Sequence, residues 1–334
     1  MNGEAGEQRL TGAIEPEARE ETMPPVSLKL LDADFDEFAR GLGRSFERFG
    51  FAIVSDHGLP DALVRDALDR TVAFFALPEA AKRAYVIPGG AGQRGYTAFG
   101  IEAAKGAELG DLKEFWHVGR DLPSGHPYTG VIAPNIWPDE TPGFREATLG
   151  LYAGLEALGL RLLRAIARYL RLEDEALADA TQDADSILRL LHYPPLAVDA
   201  EGLRAGPHED INAITLLLGA EEAGLEVLRR PNQKEGGRWL AINPPPGSVV
   251  VNIGDMLQRL TNDRLPSTTH RVVNPAPERR LIPRYSTPFF LHFAPDYRIE
   301  TLPNCISVDR PNRYPEPITA HDYLMERLRE IKLA

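Results

Sequence analysis

The apolar positions of this chain recur with two different periods, and the change of period divides the chain in two. In the first half they recur about every 3.6 residues, which predicts amphipathic helices. The first helix is predicted over residues 34–49 with Asp34 as its N-cap, and the second starts after Pro60 and runs to about Leu77. A third, long helix ends near Leu172, and its apolar stripe consists of Leu151, Leu155, Leu158, Leu162, Ile166 and Tyr169.

Two stretches of the first half do not follow the helical period. The run FAIVSDHG, residues 51–58, is apolar and ends in polar turn residues, so it predicts a buried strand. Residues 87–142 are rich in glycine, proline and aromatic residues and have no clear period. They are predicted to be irregular, and a long irregular stretch inside a compact chain is often functional.

From Ile187 onward, short apolar runs separated by Gly, Pro, Asn or Asp replace the helical pattern. Such spacing predicts the strands of an antiparallel sandwich or barrel. The runs are ILRLLHYPP, INAITLLLG, LEVLRR, WLAINP, SVVVNIG, THRVV and STPFFLHFA. A last helix is predicted over residues 318–333. The fold class is therefore expected to be mainly β with flanking helices.

The domain organisation follows from these patterns. Residues 1–24 are acidic and rich in Gly, Glu and Pro, so we expect a flexible leader there. We expect a single domain over residues 25–334. It would comprise a helical N-terminal part over about 25–180, a strand-rich core over about 185–300 and a C-terminal helix over about 317–332.

Composition narrows the class of protein. The 334 residues include 49 acidic and 37 basic side chains, for a net charge of −12, and no dense basic patch, so nucleic-acid binding is not expected. No run approaches the roughly 18–20 apolar residues of a membrane span. The single cysteine, Cys305, fits a reducing compartment, and we expect a cytoplasmic protein. The oligomeric state stays open.

A candidate metal site begins at His208 and Asp210, which are separated by one residue in GPHEDINAITLLL. On an extended strand such residues point to one face, so both side chains can reach one ion, whereas Glu209 points away. His270, just before an apolar strand, is the best third ligand among the histidines. Two imidazoles and one carboxylate hold iron(II) and leave coordination positions open. A His-x-Asp pair alone is common by chance and carries little weight.

A second candidate motif is Arg284 with Ser286 in RYSTPFFL, again two positions apart on one strand face. A guanidinium beside a hydroxyl suits a carboxylate, which accepts paired hydrogen bonds from arginine. The alternative is an exposed surface pair with no ligand. The pair indicates a ligand site only in combination with its position after His270.

Taken together, these residues resemble the isopenicillin N synthase-like branch of the iron(II)/2-oxoglutarate-dependent oxygenases. The resemblance covers roughly residues 30–330 and includes FERFGFAIVSDHGLP, LRLLHYPP, HEDINAITLLL, NPPPGSVVVNIGDMLQRLTND and HRVV. It implies a distorted double-stranded β-helix (jelly roll), with His208, Asp210 and His270 as iron(II) ligands. It also implies 2-oxoglutarate and O2 as co-substrates, with Arg284 and Ser286 binding the distal carboxylate of 2-oxoglutarate and Tyr193 adding a hydroxyl.

The chain departs from the family pattern at three places. Leu191 stands where many members have asparagine. The segment PAPERRLIP between the third ligand and Arg284 is a little long, and PPVSLKLLD replaces the usual start of the first strand. These departures affect one polar contact, one loop and the N-terminal edge.

The resemblance implies an oxygenase that oxidises a small molecule, by hydroxylation above other outcomes, with release of succinate and CO2. No catalytic residue beyond the metal ligands is expected. Two alternatives stay open: an iron oxidase of the same fold that needs no 2-oxoglutarate, and a non-catalytic jelly roll that binds metal or ligand. Candidate substrate-binding residues, suited to an acidic or polar substrate, are Arg94, Tyr96, Phe115 and His117.

Overall fold

The computed structural model describes residues 22–104, 109–197, 200–218, 223–229 and 237–330, so nearly all of the predicted leader lies outside the described residues. The helices of the described part are α1 Lys29–Ala33, α2 Phe35–Phe49, α3 Asp61–Phe75, α4 Glu79–Arg83, α5 Phe144–Tyr169, α6 Ala176–Asp179, α7 Asp255–Leu260 and α8 Ala320–Glu330.

The strands of the described part are β1 Val26–Ser27, β2 Phe51–Ser55, β3 Gly95–Thr97, β4 Glu114–Val118, β5 Ile187–Tyr193, β6 Ala205–His208, β7 Ile214–Leu218, β8 Leu225–Arg229, β9 Arg238–Ala241, β10 Val249–Ile253, β11 His270–Val272, β12 Arg284–Leu291, β13 Arg298–Ile299 and β14 Ile318–Thr319. They form a major sheet in the order β1-β2-β10-β7-β12-β5-β4-β3 and a minor sheet in the order β6-β11-β8-β9. A short β13-β14 pair stands apart.

Two apolar clusters join the inner faces of the two sheets. In one cluster, Phe51 and Ile53 of β2 pack with Leu225 and Val227 of β8. In the other, Tyr193 of the major sheet packs with residues of β6 and β11. Each such buried side chain contributes about 1.5–3 kcal/mol relative to an exposed one. The sheets therefore face each other across a shared core, as the distorted jelly roll predicted from the sequence requires.

The long helix α5 covers the outer face of the major sheet. The ring of Tyr152 packs edge-on against that of Phe289 in β12, with centroids 5.0 Å apart. At Gly159 an added Cβ would lie 3.1 Å from the side chain of Leu291, so the missing side chain lets the helix approach the sheet closely. Helix α2 packs on α5 in turn, where Arg168 forms an ion pair with Asp36 at 2.7 Å.

The first predicted helix is confirmed together with its cap. Helix α2 spans Phe35–Phe49, and the backbone N–H of Glu37 donates to Asp34 Oδ1 at 2.9 Å. The second and third predicted helices correspond to α3 and α5, which end at Phe75 and Tyr169. The C-terminal helix is described as far as Glu330, and the rest of the predicted range lies outside the described residues.

The prediction that residues 87–142 are irregular is wrong in part, because β3 and β4 lie within this stretch and extend the major sheet. All five residues of β4 are buried, so the run shows no alternation of apolar and polar positions. Its acidic residue, Glu114, is satisfied internally: it accepts hydrogen bonds from Lys82 Nζ at 2.7 Å and from the Tyr96 hydroxyl, and its other oxygen lies 2.7 Å from His192 Nδ1. Local pattern cannot reveal a polar side chain that is buried with distant partners.

Candidate metal centre and active-site cavity

Two facing strands of the minor sheet bring the three predicted metal ligands together. His208 ends β6, His270 begins β11, and the two residues are paired across the ladder. Asp210 lies two residues beyond the end of β6, so the prediction that it shares a strand with His208 is wrong. One ligand atom from each side chain lies within 4.8 Å of the others.

Hydrogen bonds at the rear of each side chain orient these atoms. His208 Nδ1 lies 2.8 Å from the Gly206 carbonyl and His270 Nδ1 lies 3.1 Å from the Thr268 carbonyl. A backbone carbonyl can only accept, so each Nδ1 carries the proton and each Nε2 keeps a free lone pair. Both Nε2 atoms lie 3.8 Å from Asp210 Oδ1.

The aspartate is fixed in the same way. The Thr215 hydroxyl donates to Asp210 Oδ2 at 2.5 Å and the Asn252 amide donates at 2.8 Å, which leaves Oδ1 for the histidines. Burial opposes ionisation of Asp210, but His270, His208 and the two hydrogen bonds outweigh it and lower the pKa. Burial and the neighbouring His270 lower the pKa of His208. Two neutral imidazole nitrogens and a carboxylate oxygen therefore converge, and this donor set fits a divalent iron ion.

The predicted carboxylate anchor lies on the major sheet. Arg284 begins β12, opposite Tyr193 of β5, and its guanidinium carbon lies 5.0 Å from the centre of the Tyr193 ring. Arg284 and Ser286 are both buried, on the same face of the strand. This excludes the alternative of an exposed surface pair. The described lining of the cavity that includes His208 and Asp210 contains none of these three residues.

A cavity of about 590 Å³ opens beside the three ligands, and its size suits a small molecule. All four residues predicted to bind the substrate, Arg94, Tyr96, Phe115 and His117, line it. The polar groups of two of these residues already bind other side chains of the protein. Arg94 pairs with Asp185 at 2.5 Å, and the Tyr96 hydroxyl donates to Glu114.

His117 accepts a hydrogen bond from Arg189, a cavity residue that the sequence analysis did not identify. Arg189 Nε donates to His117 Nε2 at 2.7 Å, and its Nη1 lies 3.2 Å from Glu102. The guanidinium stacks 4.1 Å above the centre of the Phe115 ring and 5.1 Å from that of Phe290. The sequence could have indicated Arg189, because it is the one charged side chain in the apolar run ILRLLHY. It lies four residues before Tyr193 and therefore on the same face of the strand.

Further carboxylates complete this cluster. Lys113 Nζ lies 2.7 Å from Asp111 and 3.6 Å from Glu102. Burial would raise the pKa of Glu102, but Arg189 and Lys113 outweigh burial and lower it to about 2. Helix α8 supplies the apolar side chains Leu324 and Leu328 on another wall of the cavity. Sequence reasoning also missed these residues, which come from the far end of the chain.

Comparison with known proteins agrees with the fold and identifies the family. Residues 23–140 match the N-terminal family of "non-haem dioxygenase in morphine synthesis", and residues 184–293 match the 2OG-Fe(II) oxygenase superfamily. The 2-oxoglutarate-Fe(II) type oxidoreductase hxnY of Emericella nidulans is 34% identical over 288 residues, which cover 83% of this chain and 80% of that protein.

Solved structures agree as well. A 2OG-Fe(II) oxygenase family protein of Caulobacter crescentus is 57% identical, with a TM-score of 0.85, over 92% of this chain and 99% of that one. A full-length Neurospora crassa protein, solved in complex with alpha-KG and thymine, is 29% identical with a TM-score of 0.80, over 94% of this chain and 98% of that one.

The jelly roll and the facing histidines and carboxylate define a non-haem iron oxygenase. The chain belongs to the 2OG-Fe(II) oxygenase superfamily, and it fits the isopenicillin N synthase-like branch. It is a 2-oxoglutarate-dependent dioxygenase that uses Fe(II), 2-oxoglutarate and O2 to oxidise a small molecule. In the described part of the chain, no helix has the length and apolar character needed to cross a membrane.

Proposed function

We propose that His208, Asp210 and His270 bind the Fe(II) of this dioxygenase, and that Arg284 and Ser286 bind the distal carboxylate of 2-oxoglutarate. The observation that carries the proposal is the convergence of two Nε2 atoms and one Oδ1 atom within 4.8 Å, each oriented by a hydrogen bond behind it. These three side chains would hold the ion and would leave coordination positions open for the co-substrate and dioxygen.

Arg284 and Ser286 suit the dicarboxylate because both are buried and present donors on one strand face. A buried guanidinium is stabilised by an anion, and its fork of N–H groups matches a carboxylate. The ring of Tyr193 lies against Arg284 and limits the positions that the guanidinium can adopt. We assign the Tyr193 hydroxyl to the same carboxylate, as the family pattern implies.

When bound, iron and 2-oxoglutarate supply the oxidising chemistry, with succinate and CO2 as co-products. The protein holds the ion through three side chains, fixes the co-substrate through the anchor and places a substrate in the adjoining cavity. Ile187, Phe290, Leu324 and Leu328 give that cavity apolar walls, which exclude water from the reacting centre. We assign hydroxylation of the substrate as the reaction.

Anaerobic absorption spectroscopy tests this assignment directly. The protein is mixed with Fe(II) and 2-oxoglutarate without oxygen, and we expect the visible charge-transfer band of a chelated 2-oxo acid. Absence of the band, with iron still bound, would show that the site does not take 2-oxoglutarate in this way. Release of succinate after oxygen is admitted separates the dioxygenase from an oxidase of the same fold, since only the former consumes 2-oxoglutarate.

We also propose that the enzyme acts in the cytoplasm. The support is the single cysteine, Cys305, which is buried and unpaired in a chain of 334 residues. Fractionation of cells that express the native chain, followed by immunoblotting, tests this location.

A further inference from the structure

The cations that line the cavity are matched one to one by carboxylates. Within the described residues there are five such cations, and each lies within 3.2 Å of an acidic partner. The pairs are Arg83–Glu79 at 2.8 Å, Arg94–Asp185 at 2.5 Å, Lys113–Asp111 at 2.7 Å, Arg189–Glu102 at 3.2 Å and Arg327–Asp255 at 3.1 Å. The neighbouring residues 105–108, which lie outside the described part, contain one lysine and one glutamate, so their sequence adds no net charge.

The charges at the metal also cancel. An Fe(II) ion and Arg284 together carry as much positive charge as Asp210 and the two carboxylates of 2-oxoglutarate carry negative charge. Glu209 adds a further carboxylate to the lining, where it accepts a hydrogen bond from the Thr269 hydroxyl at 2.7 Å. His117 adds no positive charge, because burial, with the adjacent Arg189 in addition, lowers its pKa well below the ordinary value. The described lining of the cavity therefore offers no uncompensated cation.

We infer that the primary substrate of this oxygenase carries no negative charge, and that Arg189 binds it through a carbonyl oxygen of an amide or ring carbonyl. The inference rests on the proposed iron and 2-oxoglutarate sites. A carboxylate substrate would bring a negative charge into a cavity whose cations are already paired, and burying an unpaired charge is unfavourable. A carbonyl oxygen carries no such penalty and still accepts a hydrogen bond from a guanidinium.

Arg189 is suited to binding a carbonyl oxygen because its contacts with the protein fix the position of its guanidinium group. Its hydrogen bonds to described residues use Nε, which donates to His117, and Nη1, which donates to Glu102. The N–H groups of Nη2 are left for an acceptor in the cavity. The stacking of the guanidinium on Phe115 fixes the plane in which that acceptor must lie.

Matched pairs of uncharged and anionic probes test the inference. The enzyme is loaded with Fe(II) and 2-oxoglutarate without oxygen, and its charge-transfer band reports the proposed cofactor sites before any probe is added. The pairs are thymine with 5-carboxyuracil, benzamide with benzoate, and indole-3-acetamide with indole-3-acetate. Binding is followed by ligand-observed NMR. We expect at least one uncharged probe to bind at least about tenfold more tightly than its anionic partner.

The outcomes separate the two proposals. If the band is missing, the cofactor assignment fails. If the band is present but the anionic member binds more tightly in every pair that binds, or no uncharged probe binds, the inference of a substrate without negative charge is overturned.

Two variants test whether charge balance is the cause. Glu102→Gln keeps the shape of the side chain but leaves the Arg189 charge unmatched, so the preference should shift toward the anionic probe by about tenfold. The matched control is Glu156→Gln, which removes a carboxylate from an ion pair with Arg120 outside the cavity lining and should leave the preference unchanged. Arg189→Gln should weaken the uncharged probe while the band persists. An unchanged preference in Glu102→Gln, with the band intact, contradicts the charge argument.

Discussion

Arg189 and His117 form a 2.7 Å hydrogen bond in which the arginine Nε–H can only donate, so His117 Nε2 must accept. The other ring nitrogen, Nδ1, lies 2.6 Å from the carbonyl oxygen of Gly92 and must therefore carry the proton. The contact fixes both the tautomer and the charge of a histidine that lines the cavity. His117, which the sequence predicts to bind the substrate, thus lines the cavity and also holds the guanidinium of Arg189.

This relationship predicts that the His117 ring stays neutral, with the proton on Nδ1, between about pH 6 and 8, the range in which an ordinary histidine titrates. Burial, with the charge of Arg189 in addition, lowers its pKa well below the usual value. Nitrogen-15 NMR of the histidine side chains, with His117→Gln for assignment, reports both features. A ring that becomes cationic within this range would contradict the assigned geometry.

The metal assignment predicts that Asp210→Ala weakens iron binding by more than about 100-fold, because it removes one of three ligands. Iron content after equilibrium dialysis measures the change. Glu209→Gln is the matched control, since Glu209 lies between the ligands in sequence but bonds to Thr269. Retained iron binding and turnover in Asp210→Ala would remove the basis of the assignment.

Substitution of Asn252 is expected to weaken iron binding as well, but by less than Asp210→Ala does. Its amide donates to Asp210 Oδ2 at 2.8 Å and so helps to aim Oδ1 at the ion. Asn252→Ala should lower the iron affinity by about 10–100-fold, the usual range for a group that orients a ligand. Circular dichroism checks that the fold is kept. An affinity equal to that of the unaltered protein would mean that Thr215 alone orients the carboxylate.

The anchor assignment predicts that Arg284→Ala weakens 2-oxoglutarate far more than iron. Removing one partner of a buried charged contact costs at least about 2 kcal/mol, which is on the order of 30-fold in affinity. Titration of the anaerobic charge-transfer band gives the 2-oxoglutarate affinity, and dialysis gives that of iron. Arg279→Ala, an exposed arginine just before β12, serves as the control. An equal loss of both ligands would point to damage to the fold.

The raised pKa of Asp255 predicts that the stability of the protein depends on pH. Burial raises its pKa to about 6 despite the ion pair with Arg327 of α8 at 3.1 Å. Because the pKa of Asp255 is higher in the folded than in the unfolded protein, folding favours the protonated form of this side chain. The contribution of Asp255 to stability is therefore complete below about pH 3.8 and is lost as the pH rises through about 6. From the size of the shift, the free energy of unfolding of the native chain relative to Asp255→Asn should fall by about 3 kcal/mol across this window.

Urea unfolding of both proteins at pH values across the window measures this difference. A difference that grows with pH would show that the ion pair with Arg327 outweighs the burial of Asp255.

The sequence by itself determined the elements whose cause is local. The N-cap and the apolar period of α2, the short apolar runs of β5 and β12, and the spacing of His208 and Asp210 are all local features, so they can be read directly from the sequence. The ordered set of His208, Asp210, His270, Arg284 and Ser286 was specific enough to indicate the family. Each of these features depends on neighbours along the chain or on a fixed order of residue types.

Only the tertiary structure decided which groups meet across long separations. Arg189 and Glu102 are 87 positions apart, and Arg327 and Asp255 belong to different elements, so no local period reports either contact. The pairing of β4 could not be read from the sequence for the same reason, because the partners of its buried Glu114 come from β5, α4 and β3. The charge balance of the cavity depends in part on such long-range pairings, which composition does not reveal.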